Sequence, residues 1–186
     1  MKKFILAIVA GLLMHATLTA QTPAQHIVFQ NISAVGLLNG SNGSSFMVQN
    51  TAGIAIKHSF VGVGAALDLY KYRSVPLYVD LRQNFGKKKN LFLYGDAGFN
   101  LPWLTQPQKN GSFLGRPIRG TWYYDAGAGY RIKLNTNALL LSAGYSYKEF
   151  KSRGEEYICN LTSCGVTEAR YRYHMPRLVI KASLQF

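Results

Sequence analysis

All four aspartates of the chain, at positions 68, 80, 96 and 125, stand in stretches where apolar residues alternate with small or polar ones. Carried through each stretch, the alternation puts Asp68, Asp80, Asp96 and Asp125 on one common face, together with Arg82, Arg131, Arg177 and Lys181. Carboxylates gathered in this way can work as a general acid and base, pass a proton along a relay, or lock against the cations as buried ion pairs. The ion-pair network is the reading adopted, because charges that are costly to bury alone are satisfied when paired, and such a plug would fix strand register and close an interior. Catalysis by a nucleophile paired with histidine finds no support: His26, His58 and His174 fall at separate segment ends. No enzymatic activity, metal or cofactor is therefore expected.

Cys159 and Cys164, the only cysteines, lie in the polar segment 157–166. In an exported chain they would meet oxidising conditions, which favour a disulfide closing a loop; two free thiols are the alternative. A metal site is disfavoured, since two cysteines with no nearby histidine do not complete a tetrahedron. Gly62, Gly64, Gly98, Gly127, Gly129 and Gly144 share the face of the aspartates. Loops that cradle phosphate precede a helix and carry a spacing absent here. These glycines are read instead as small residues that let a strand wall curve and leave room for Tyr and Arg neighbours.

Eight segments of about ten residues carry the alternation, and the clearest sets Val61, Val63, Ala65, Leu67 and Leu69 against Gly62, Gly64, Ala66, Asp68 and Tyr70. Only a strand presents opposite faces with a period of two. The others run over 27–38, 46–57, 77–82, 91–99, 122–131, 139–147 and 178–186, with the register of the first two least fixed by pattern. The stretch 39–45 between the first two reads as a turn, and those at 57–59, 84–90 and 133–137 are short as well. The connections 100–120 and 148–174 are the two longest. They hold Lys109, Arg116, Arg119, Lys151, Arg153, Arg170 and Arg172, with Trp103, Phe113, Lys148 and Tyr171 in or beside them. These cations are candidates for contacts with anions such as lipopolysaccharide phosphates; an ordinary solvated loop face is the competing reading. Trp122, Tyr124, Tyr130, Tyr145 and Tyr147 fall on the apolar face, where an aromatic girdle or a ligand platform would sit.

The N-terminus opens with Lys2 and Lys3, continues through an apolar run over 4–14 and reaches Ala16 and Ala20 before turning polar at Gln21. That layout reads as a cleavable signal peptide over 1–20, leaving one domain over 21–186. The apolar run is too short to span a bilayer, and no later stretch reaches the roughly 20 apolar residues a membrane helix needs. Any membrane crossing would use strands, which suits a chain with 18 Gly, 12 Tyr and 10 Phe. The net charge of +13 becomes +11 once Lys2 and Lys3 are removed. In an exported chain this points to anionic lipid rather than nucleic acid.

The ending Leu178, Ile180, Ala182, Leu184, Phe186 resembles the C-terminal signal by which outer-membrane barrels are recognised for assembly. The stretches 32–38, 61–70, 73–82 (RSVPLYVDLR) and 91–99 (LFLYGDAGF) resemble the small outer-membrane β-barrel domain family, broadly OmpA-, OmpX- and OmpW-like. The resemblance implies an eight-stranded antiparallel transmembrane β-barrel in the outer membrane of a Gram-negative bacterium. Short turns would face the periplasm and the long connections the outside. Its partners would be outer-membrane lipid, lipopolysaccharide and the barrel-assembly machinery. Its role would be structural or interactive at the surface, with the lumen closed by the Asp/Arg network. The alternatives are a porin-like channel or transporter for small or hydrophobic solutes, and a soluble periplasmic ligand-binding barrel. The last requires the opposite polarity, with an apolar inside.

Overall fold

The computed structural model describes residues 27–86, 88–103, 118–159 and 164–186, with the backbone alone at 155–159, 164 and 166. The segment read as a signal peptide, and Lys109, Phe113 and Arg116 of the 100–120 connection, lie outside the described residues.

Eight strands follow one another without a helix between them: β1 (Ile27–Gly40), β2 (Gly43–Ile56), β3 (Ser59–Asp68), β4 (Ser74–Phe85), β5 (Leu91–Pro102), β6 (Ile118–Lys133), β7 (Ala138–Cys159) and β8 (Cys164–Gln185). Each pairs antiparallel with the next, and β8 returns to β1 to close a barrel. The closing seam runs from Ile32 opposite Gln185 to Gly40 opposite Arg177. Two backbone hydrogen bonds between Asn31 and Phe186, at 2.7 and 3.0 Å, fasten its lower end. Closure removes the free strand edges that would otherwise seek partners.

The alternation of side chains decides which way each strand faces. Val63, Val79, Leu93, Ile180 and Leu178 point outward and are exposed, whereas Asp68, Asp80, Asp96 and Asp125 point inward and are buried. Glycines on the inner face sit where the wall leaves no space. A Cβ on Gly98 would run into the Leu77 carbonyl and the Tyr78 backbone of β4, so curvature and glycine go together there.

The two rims differ. One carries the tight turns at Lys57 and His58, at Gly86 and Lys89, and at 134–137, together with the start of β1 and Phe186. Lys57 takes the left-handed conformation, φ 54°, that a two-residue hairpin demands. The other rim carries the β5–β6 connection and the β7–β8 hairpin. Here the structure corrects the sequence reading: 148–174 is not a long loop. Strands β7 and β8 have 22 residues each and stay paired from Ala138 opposite Gln185 to Cys159 opposite Cys164. A strand crosses a bilayer in about 9–11 residues. The hairpin therefore continues for roughly 40 Å of strand length beyond such a span, at about 3.3 Å per residue. The outward residues of this outer part are polar, so no alternation of hydropathy marks its strands. The β5–β6 connection is also narrower than 100–120, because β5 runs to Pro102 and β6 begins at Ile118.

Candidate functional site: an ion-paired interior

Inside the barrel the side chains form layers. Near the long-hairpin rim, Leu38, Met47, Tyr70, Tyr78, Tyr123 and Phe150 form a buried apolar and aromatic cluster. Near the short-turn rim, Ile32, Phe60, Phe92, Tyr94 and Leu140 form a second. Charged residues occupy the space within and between them.

Asp68 of β3 is the most heavily partnered carboxylate. Arg177 of β8 donates to its Oδ2, the Lys148 ammonium lies 2.9 Å from its Oδ1, and the Tyr70 backbone N–H donates to the same oxygen at 2.9 Å. Lys148 also donates to the carbonyls of Tyr70 and Tyr72 at 2.9 and 2.8 Å, and to Ser74 Oγ at 3.2 Å. Arg177 donates to Ser146 Oγ at 2.8 Å. Lys148, read from sequence as part of an outer loop, is thus fully buried in the lumen. The signal was present in the sequence: Lys148 continues the inward parity of Ser142, Gly144 and Ser146.

The other three aspartates stand side by side across three strands, Asp80 opposite Asp96 and Asp96 opposite Asp125. Like charges in direct cross-strand register repel, and two cations offset them. Arg82 grips Asp80 with Nε and Nη2 at 2.6–3.0 Å. The Arg82 guanidinium carbon also lies 5.9–6.0 Å from the ring centres of Phe60, Phe92 and Tyr94, a cation held among π faces. Lys181 donates to Asp125 at 3.1 Å, lies 3.6 Å from Asp96, and sits 4.1 Å from the Tyr94 ring centre. Tyr94 and Tyr123 complete Asp125 by donating at 2.9 and 3.2 Å. The four buried aspartates thus meet four buried cations, Arg82, Lys148, Arg177 and Lys181. The division is uneven, because Asp68 has two cations while Asp80, Asp96 and Asp125 share two.

Arg131 stands apart. It lies near the short-turn rim, and no ion pair reaches it among the described residues; its Nε has no hydrogen-bond partner. Reading it into the charge network from parity alone is therefore corrected, since parity sets the face but not the depth.

On the outer wall, rings follow one another diagonally over four strands: Phe99, Trp122, Tyr124, Tyr147 and His174, with successive centres 4.7–6.4 Å apart. Tyr130 and Phe186 are exposed toward the opposite rim. His174 shares a hydrogen bond with Tyr147. His58 sits in a turn, so the described histidines do not meet. Among the described residues no group of three or more His, Cys, Asp or Glu side chains is placed to hold a metal ion.

Beyond the ring band, Arg119, Lys151, Arg153, Arg170 and Arg172 lie on β6, β7 and β8. Lys151 reaches Glu149 at 3.6 Å and Arg170 reaches Glu168 at 3.0 Å. The hydrogen bond from Arg170 and the charge behind it hold the Glu168 carboxyl below the usual carboxylate range. In the β3–β4 connection, Tyr72 packs edge-on against Phe150 and Tyr173, and burial raises its hydroxyl above the ordinary tyrosine value. Cys159 and Cys164 are register partners at the tip of the described hairpin.

With this geometry in view, several solved structures are similar in strand arrangement. Outer membrane protein AlkL, determined by solid-state NMR in DMPC bilayers, is 12% identical, with 90% of this chain and 94% of that one covered and a TM-score of 0.49. Neisserial surface protein A is 15% identical over 88% of this chain and 98% of that one, with a TM-score of 0.43. The de novo designed barrel TMB2.3 is 13% identical over 89% and 97%, with a TM-score of 0.42. No protein-family model matches the chain, and no curated protein does.

Proposed function

We propose that the protein is an integral outer-membrane barrel with a closed interior, acting as a structural or surface-interaction element and not as an enzyme or channel. The observation that carries this reading is the polarity of the wall. Large apolar side chains are exposed on every strand, with Val63 and Leu178 each at 66%. Ion pairs and tyrosine hydroxyls occupy the inside. A soluble monomer rarely leaves more than a few hundred Å² of contiguous apolar surface, whereas a lipid-facing barrel requires such a belt. A soluble ligand carrier would invert the arrangement. The aromatic positions near both rims suit the two membrane interfaces.

The contents of the lumen support its closure. Two apolar layers, with ion pairs set within and between them, occupy the inside, and an eight-stranded barrel has an interior that side chains fill. What remains for function is the β7–β8 hairpin, which would stand outside the membrane. The exposed apolar residues of β8, ending at Phe186, fit recognition by the barrel-assembly machinery.

Conductance tests the closed reading against the channel reading. The purified protein in planar bilayers should give no stepwise current above the lipid baseline, and liposomes carrying it should retain small solutes. Steady conductance, or uptake of a small or hydrophobic solute, would establish transport and overturn the closed-lumen reading.

A further inference from the structure

The strand register makes an arrangement on the outer wall that charge counting alone does not show. Arg119 of β6 is directly opposite Lys151 of β7, and Lys151 is directly opposite Arg172 of β8. One outward position farther along, Arg153 is directly opposite Arg170. Five cations thus form two adjoining rows across three strands. Cross-strand like charges destabilise a sheet where they face each other with nothing between them. The nearby carboxylates offset only part of this, because Glu149 serves Lys151, Glu168 serves Arg170, and Arg119, Arg153 and Arg172 form no ion pair among the described residues.

The depth of the rows narrows the choice of anion. The band of rings from Phe99 to His174 ends where the rows begin. His174 lies one outward position from Arg172 on β8, and Tyr147 lies two outward positions from Lys151 on β7, about 7 and 13 Å along the strands. Trp and Tyr rings settle at the level of lipid headgroups, so the cations stand at the headgroup phosphates or just above them. Four of the five are arginines, whose fork matches two phosphate oxygens at once. Below the ring band, Leu141, Leu178 and Ile180 are exposed on the same wall, where acyl chains would run.

We infer that Arg119, Lys151, Arg172, Arg153 and Arg170 form a binding site for a phosphorylated glycolipid of the outer leaflet, of the bis-phosphorylated lipid A class. This rests on the outer-membrane reading above.

The test uses the full chain in dodecyl maltoside, titrated with bis-phosphorylated lipid A and with the dephosphorylated lipid, and read by native mass spectrometry. The wild type should prefer the phosphorylated form by at least about tenfold. Arg119→Gln, Lys151→Gln and Arg172→Gln combined should abolish that preference. The combination Lys57→Gln, Lys88→Gln and Lys133→Gln at the opposite rim removes the same charge and should leave it intact. Equal loss in both variants, or no phosphate preference in the wild type, overturns the site. So does equal binding of a soluble phosphosugar, which would make the ligand a free anion. Should the triple variant fail to fold, Arg172→Gln alone must still weaken binding. The wild-type preference must also fall as salt rises from about 0.05 to about 0.5 M. Heat-modifiability of the wild type, recorded on the same samples, separates failure of this site from failure of the barrel reading.

Discussion

Arg177 of β8 reaches Asp68 of β3 across 109 positions of sequence, with both side chains wholly buried. Two strands, β1 and β2, stand between them in the wall, so the pair ties the barrel through its interior and not along a ladder. Removing the carboxylate would leave Arg177 and Lys148 buried with no counter-ion. Asp68→Asn should lower unfolding stability by about 3–5 kcal/mol, measured by urea titration in lipid vesicles. Arg131→Gln, which breaks no ion pair among the described residues, should shift it by less than about 0.5 kcal/mol.

The tyrosines divide by face. Tyr94→Phe withdraws one of the donors to Asp125 and should destabilise the barrel by about 1.5–3 kcal/mol, the range for a hydrogen bond to a charged group. Tyr145→Phe on the outer wall, where the ring is exposed, should be nearly neutral. The comparison is made by the same titration, and equal effects would show that the interior hydroxyls are not bearing the carboxylate.

Lipid contact predicts a penalty that water would not impose. Val63 is among the most exposed residues of β3, and Val63→Arg should cost about 2–4 kcal/mol in bilayers if it lies near the midplane. The same substitution on a water-facing wall would be close to neutral. Vesicle-based unfolding of the two proteins gives the difference directly.

The register of β7 and β8 sets Cys159 against Cys164 at the hairpin's end. In protein isolated from an oxidising compartment these two should be joined, so a maleimide-polyethylene glycol reagent should shift the band only after reduction. Cys159→Ser with Cys164→Ser should lower stability by about 2 kcal/mol, the loop-closure value for so short a ring. Labelling without reductant would show free thiols.

How much of this is legible in the sequence depends on whether the outward side chains are apolar. Val61 to Leu69 put an apolar residue outward at every second position, and Gly62, Gly64, Ala66 and Asp68 fill the gaps, so strand, face and polarity can all be read. The outward side chains of the outer parts of β7 and β8 include Lys151, Arg153, Arg170 and Arg172, so no apolar residue recurs there at every second position. No periodic demand marked them as strand. Lys148 shows the same limit at one residue: its parity with Ser146 was visible, but lysine in a polar run resembles a loop unless Asp68 is known to lie opposite. Depth was the other missing quantity. Arg131 shares its face with Asp125 but sits toward the short-turn rim, and alternation carries no height until the register between strands is known.

Whether lipid covers the outer wall of a closed barrel in the outer membrane is decided by fractionation of the expressing bacterium, followed by gel migration of the detergent-extracted protein with and without boiling. Recovery in the outer-membrane fraction is expected, with an unboiled band that migrates differently from the boiled one. Recovery as a soluble periplasmic protein, with no heat-dependent shift, would contradict a lipid-covered wall.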